Sequence, residues 1–176
     1  MKKYSAVFLD RDGVLCEEKS YITKIEELNI FSYTKYCIEQ LHQKGFLTIC
    51  VTNQSAVARG MMTEETLCKL NRYLMKEINL DAIYYCPHHP DGIERYRRNC
   101  NCRKPNIGMI ESAEKDFRIE REISYMVGDR ASDIICGQRA SLKTVLLESG
   151  YGTMNLELPV KPDFIYKNLE EFVEKI

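Results

Sequence analysis

Asp10 and Asp12 stand two residues apart, with Arg11 between them and Gly13 after. A third acid, Asp129, follows Gly128, and Thr52 closes an apolar run. Two carboxylates spaced i, i+2 at a strand end can converge on one cation. A hard cation such as Mg²⁺ takes oxygen ligands in octahedral geometry and commonly bridges to phosphate. Asp10, Asp129 and one backbone carbonyl would make such a site. Taken singly, each acid could equally cap a turn or a helix, since turns favour Asp and Gly. Asp-x-Asp-Gly is also a fragment of a calcium loop.

The cysteines make a second group. Cys86-Pro87-His88 and Cys100-Asn101-Cys102 flank the eleven residues 89–99. Three thiolates and one imidazole are the donor set of a closed tetrahedral zinc site. The segment between them holds Asp91, Gly92, Arg95, Arg97 and Arg98 and has no apolar core of its own. Zinc would order it, because metal-binding free energy becomes ordering free energy. His89 is a rival ligand, and isolated core cysteines are the plainer alternative. Paired Cys and His ligands also occur in zinc modules that bind nucleic acid. Cys102 leads directly into Arg103 and Lys104, so a metal here would deliver two cations toward the acids. Cys16, Cys37, Cys50, Cys68 and Cys136 read as small apolar packing residues.

The acids need strands to carry them. Short apolar runs cover 6–9, 46–51, 82–85, 123–127 and 144–147, with a short sixth at 164–165. Such runs suit strands covered on both faces. Helix-length segments lie between them at 33–44, 64–78, 107–117, 132–140 and 169–176. Thr63 is a good N-cap and Gly45 a plausible residue after a helix end. The alternation predicts an α/β fold, a Rossmann-like parallel sheet with helices on both faces. Ligands of such sheets bind outside the carboxyl ends of the strands, where Asp10, Thr52 and Asp129 fall. Two connections, 11–32 and 87–105, are long enough to be functional.

With 176 residues the chain fits one domain over 1–176, with 86–102 as an inserted zinc loop. The formal charge of −1 argues against nucleic-acid binding by bulk charge. No apolar run approaches the roughly 20 residues that span a bilayer. The opening stretch from Met1 breaks its apolar run too early for a signal peptide, so the cytoplasm is the expected location. Walker-type, dinucleotide and His-Glu-x-x-His motifs are absent from the sequence.

Four segments in order resemble the motifs of the haloacid dehalogenase-like phosphohydrolases: Phe8-Leu9-Asp10-Arg11-Asp12-Gly13-Val14, Val51-Thr52-Asn53-Gln54-Ser55, Cys102-Arg103-Lys104-Pro105, and Val127 to Asp133. The cysteine segments, with Ala58-Arg59-Gly60, resemble the branch of the D-glycero-D-manno-heptose-1,7-bisphosphate 7-phosphatases. Histidinol-phosphate phosphatase domains share the arrangement. The resemblance implies a capless enzyme in which Asp10 is the nucleophile and Asp12 the general acid/base. Thr52 and Lys104 would hold the phosphoryl group. Asp10, the Asp12 carbonyl and Asp129 would bind Mg²⁺, and Cys86, His88, Cys100 and Cys102 would bind Zn²⁺. Glu18, Lys19, Ser20, Tyr21, Asn53, Gln54, Ser55, Arg103 and Arg130 would shape the substrate pocket, with Arg103 recognising a second anionic group. The implied ligand is a small phosphorylated sugar, the implied setting heptose biosynthesis, and the expected state a monomer free of nucleic acid and membrane. Another small phosphomonoesterase is the nearest alternative, and a zinc-stabilised binding module the alternative of a different class. The chain departs from the branch at Ala56, where Gly is usual, at Arg130, where Lys is usual, and at Cys16, where Asn is usual.

Overall fold

The structure is a computed structural model that describes residues 3–151 and 160–176. Met1 and Lys2, the start of the stretch weighed above as a leader, lie outside the described residues. Six parallel strands form one sheet: β1 Ala6–Leu9, β2 Leu47–Asn53, β3 Ala82–Cys86, β4 Tyr125–Gly128, β5 Lys143–Leu147 and β6 Phe164–Tyr166. Their order is β3-β2-β1-β4-β5-β6. The chain order reverses between β1 and β4, and a crevice opens there beyond the strand ends.

Six α-helices are found among the described residues: α1 Thr34–Gln43, α2 Ser55–Ala58, α3 Glu64–Ile78, α4 Gly108–Asp116, α5 Ala131–Arg139 and α6 Leu169–Lys175. Successive residues of β1 serve opposite faces, as the period of two requires. Val7 and Leu9 join a core with Ile38 and Leu41 of α1, Leu74 and Ile78 of α3, and Phe172 of α6. Ala6 and Phe8 join a second core with Met109, Ile110 and Ala113 of α4 and Cys136 of α5. The Thr63 side chain caps α3 by accepting from Thr66 N at 3.1 Å. Gly45 follows α1 with φ +85°, as its position suggested.

Two expected boundaries shift. The fourth strand begins at Tyr125, because Arg121–Ile123 form a 3₁₀ turn. Buried Ser124 ties that turn to β1: its Oγ donates to Glu120 O at 2.6 Å and accepts from Ala6 N at 2.9 Å. The second strand, expected over 46–51, runs on through Asn53, and α2 follows. Ala56 lies within α2 and outside the left-handed region, so replacing Gly there brings no backbone strain. Cys16, Cys37, Cys50 and Cys136 are buried, as expected of packing residues; Cys68 is only partly so. No helix among the described residues is long and apolar enough to cross a membrane.

Candidate active site and metal cluster

The crevice holds a cavity of about 370 Å³ lined by Asp10, Asp12, Tyr21, Arg103, Lys104 and Arg130 among others. Each key side chain is delivered by a strand end. Asp10 follows β1, Thr52 lies in the last turn of β2, and Asp129 follows β4. Lys104 comes from a loop, but that loop is tied to β2. Lys104 N donates to Asn53 Oδ1 and Asn53 Nδ2 donates to Lys104 O, both at 3.0 Å.

Lys104 is 3% exposed, and its ammonium is enclosed by three oxygens. Its Nζ lies 2.9 Å from Asp10 Oδ1, 2.7 Å from Asp133 Oδ1 and 2.8 Å from Val51 O. Burial opposes its charge, but Asp10 and Asp133 outweigh burial and hold it protonated. Asp133 is a site residue that carried no assigned role in the sequence reading, although it falls inside the fourth motif. Its other oxygen accepts from Arg130 N at 3.0 Å. An acid at the third position of a helix after a loop was the available signal.

Three carboxylates, from Asp10, Asp129 and Asp133, bring oxygens close enough together to hold one metal ion. Burial, and then Asp10 and Asp133, push Asp129 up to about 8. Burial raises Asp10 to about 6 even though Lys104 pulls it down. Asp129 Oδ2 accepts from Tyr151 N at 2.8 Å, whereas buried Oδ1 has no hydrogen-bond partner. An orphaned buried carboxylate oxygen beside a second carboxylate fits a hard cation. The cradle is built for close approach. A Cβ at Gly13 (φ +83°) would lie 2.4 Å from Asp129 Oδ2, and one at Gly150 2.0 Å from it.

Asp12 is different. Burial works against its charge, but Arg11 and the hydrogen bonds it receives outweigh burial and keep it below the usual carboxylate range. Thr52 is 1% exposed and stands behind the cavity lining; its Oγ1 accepts from Gln54 Nε2 at 2.8 Å, which leaves its own proton to donate.

The expected pocket residues divide. Glu18, Ser20, Tyr21, Asn53, Ser55, Arg103 and Arg130 line the cavity; Lys19 and Gln54 do not. Lys19 points to a neighbouring depression and pairs with Glu17 at 3.8 Å, so exposure and a local ion pair draw it away. Gln54 is buried behind the wall, bonded to protein on both sides of its amide. Ser132 and Tyr151 line the cavity without having been anticipated. Arg130 stacks 4.1 Å above the Tyr151 ring and donates to Glu18 Oε2 at 3.0 Å. An aromatic after Ser149-Gly150 carries no recognisable spacing, so Tyr151 was invisible. Arg95, Arg97 and Arg98 are exposed.

Beside the cavity, Cys86, His88, Cys100 and Cys102 converge. The sulfurs lie 3.2–3.4 Å apart, and His88 Nδ1 is 3.4 Å from Cys102 Sγ and 3.7 Å from Cys86 Sγ. A tetrahedral zinc with ~2.3 Å Zn–S bonds needs sulfurs ~3.8 Å apart, so a small outward relaxation accommodates the ion. The hydrogen bond with Cys86 lowers Cys102 to about 5. His89 is not the fourth ligand; its Nδ1 accepts from Asp91 N at 3.1 Å. Arg103, which follows the last cysteine, donates from Nη1 to His88 O at 3.1 Å.

A family model described as "HAD-hyrolase-like" matches residues 101–172. The D-glycero-beta-D-manno-heptose-1,7-bisphosphate 7-phosphatase of Haemophilus ducreyi is 37% identical over 174 residues, with 96% of each chain covered. The protein of the same name from Pasteurella multocida is 39% identical, over 85% of this chain and 84% of that one. Among solved structures, the D,D-heptose 1,7-bisphosphate phosphatase of B. bronchiseptica, complexed with magnesium and phosphate, superposes with a TM-score of 0.85. It is 26% identical, with 97% of each chain covered.

Proposed function

We propose, since this chain belongs to the haloacid dehalogenase-like hydrolases and within them to the family of the heptose-1,7-bisphosphate 7-phosphatases, that it removes the 7-phosphate of D-glycero-D-manno-heptose 1,7-bisphosphate. The enzyme class is phosphoric monoester hydrolase. One observation carries the mechanism: Asp10 lines the cavity, with its Oδ1 held 2.9 Å from a buried lysine.

Asp10 attacks phosphorus, its carboxylate forms an aspartyl-phosphate, and the sugar hydroxyl leaves. Lys104 offsets the repulsion between that carboxylate and a phosphate dianion. In its protonated form Asp12 gives a proton to the leaving oxygen, and as the carboxylate that Arg11 favours it then takes a proton from the water that attacks the intermediate. Thr52 donates its free hydroxyl proton to a nonbridging oxygen. Asp10, the Asp12 carbonyl and Asp129 would hold Mg²⁺, and the orphaned Asp129 Oδ1 supports this. When bound, Mg²⁺ supplies positive charge against the phosphoryl oxygens. Zn²⁺ on Cys86, His88, Cys100 and Cys102 would staple the loop that carries Arg103 and Lys104. Arg103 and Arg130 line the cavity, and a guanidinium fork suits the second phosphate of a bisphosphate.

The test is phosphorus NMR of the product. The account expects one phosphate released and the 1-phosphate retained. Loss of the 1-phosphate would overturn the assignment. Intact-mass detection of a phosphorylated enzyme, absent in Asp10→Asn, checks the nucleophile.

A further inference from the structure

Arg11 stands between the two catalytic acids and is 1% exposed, the largest side chain of the fully buried set. Its Nε donates to Asp12 Oδ1 at 2.9 Å, and its Nη2 donates to Asp12 Oδ2 at 3.1 Å and to Gln54 Oε1 at 3.0 Å. The third nitrogen, Nη1, is buried with no hydrogen-bond partner. A buried charged donor without a partner is costly.

Those two nitrogens fix Asp12 from behind. Asp12 Oδ1 also takes the Cys16 thiol at 3.4 Å, and Oδ2 also takes Gln54 Nε2 at 2.9 Å. Three residues, Arg11, Cys16 and Gln54, thus hold the carboxylate from the protein side, while Asp12 still borders the cavity. The Arg11 contact to Gln54 Oε1 also decides which way that amide faces. Its Nε2 must then point to Asp12 and to Thr52. One guanidinium thus orients the acid/base directly and the hydroxyl donor at second hand. A lysine, with a single point of contact, could not make the planar fork.

We propose that Arg11 is a positioning residue for the acid/base step, holding Asp12 in line with the leaving oxygen. This rests on the reading of Asp12 as the acid/base. The experiment compares two substrates. A sugar phosphate needs its leaving oxygen protonated, whereas p-nitrophenyl phosphate releases a stable anion. With Arg11→Met, kcat/KM for the heptose bisphosphate should fall about 100-fold while that for p-nitrophenyl phosphate falls less than about threefold. Arg11→Lys keeps the buried charge and should shift the same ratio about tenfold, and it carries the test if Arg11→Met does not fold. In the double variant with Asp12→Asn, the Arg11 change should cost nothing further. Equal losses on both substrates, or an additive double variant, would overturn the proposal while leaving Asp12 in its role. An Asp12→Asn variant that turns over both substrates normally would remove the reading beneath it.

Discussion

Asp10 and Arg103 separate two tasks that one cavity performs. Asp10→Asn removes the attacking oxygen but keeps a polar partner for Lys104. The variant should retain its circular-dichroism spectrum and melt within a few degrees of the parent, yet release no phosphate above background. A folded variant with undiminished turnover would contradict the nucleophile assignment. Arg103→Ala should raise KM for a bisphosphate about tenfold, and for a monophosphate far less, because a paired guanidinium contributes roughly 1.5 kcal/mol. A steady-state comparison of the two substrates checks this. Both residues were legible in the sequence, since motif position fixed them. Asp133 was half legible, lying in the motif with its ion pair to Lys104 unforeseen. Tyr151 and Ser132 were illegible, because the pocket gathers them from segments whose local pattern has no chemical signature.

At the scale of elements, the loop from Cys86 to Cys102 decides whether Lys104 and Arg103 arrive in place. Besides the 3₁₀ turn Glu94–Tyr96 and a His89–Arg97 bridge, its backbone is held by Ile93 N donating to Ala58 O of α2 at 2.8 Å and by Gly108 N of α4 donating to Asn101 O at 2.9 Å. Chelating any metal from Cys86, His88, Cys100 and Cys102, then restoring Mg²⁺ alone, should leave the sheet intact. It should also lower turnover and open Arg95, Arg97 and Arg98 to trypsin. A stripped protein that resists trypsin and keeps full turnover would show that the cluster staples nothing. The strands were readable because doubly covered strands are continuous apolar runs. The shifted start of β4 was not, because Ile123 is apolar and only the buried bonds of Ser124 show that it belongs to a turn. The short α2 escaped for a similar reason. Four residues carry no helical period, and what holds α2 is its packing beneath the zinc loop, where a Cβ at Gly92 would meet Ala58 at 2.9 Å.

For the whole molecule, the acidic crevice links metal, protons and stability. Asp10 is raised to about 6 and Asp129 to about 8, so the metal-free folded state binds more protons than the unfolded chain between about pH 4 and 8. Stability from these groups must then fall as pH rises through that window. Thermal melts should therefore show the metal-free protein losing stability from pH 5.5 to 8.5, with Mg²⁺ restoring most at the upper end. Magnesium stabilisation that is larger at pH 5.5 would contradict the cluster as the cation site. The order of the sheet places this crevice at the reversal between β1 and β4, which the sequence alternation predicted in class though not in strand order. The most direct test of the account is phosphate release with Mg²⁺ from D-glycero-D-manno-heptose 1,7-bisphosphate beside histidinol phosphate, with Asp10→Asn as control. The account predicts a kcat/KM at least about 100-fold higher for the bisphosphate, or ~2.7 kcal/mol of transition-state discrimination. Equal rates, or a preference for histidinol phosphate, would contradict it.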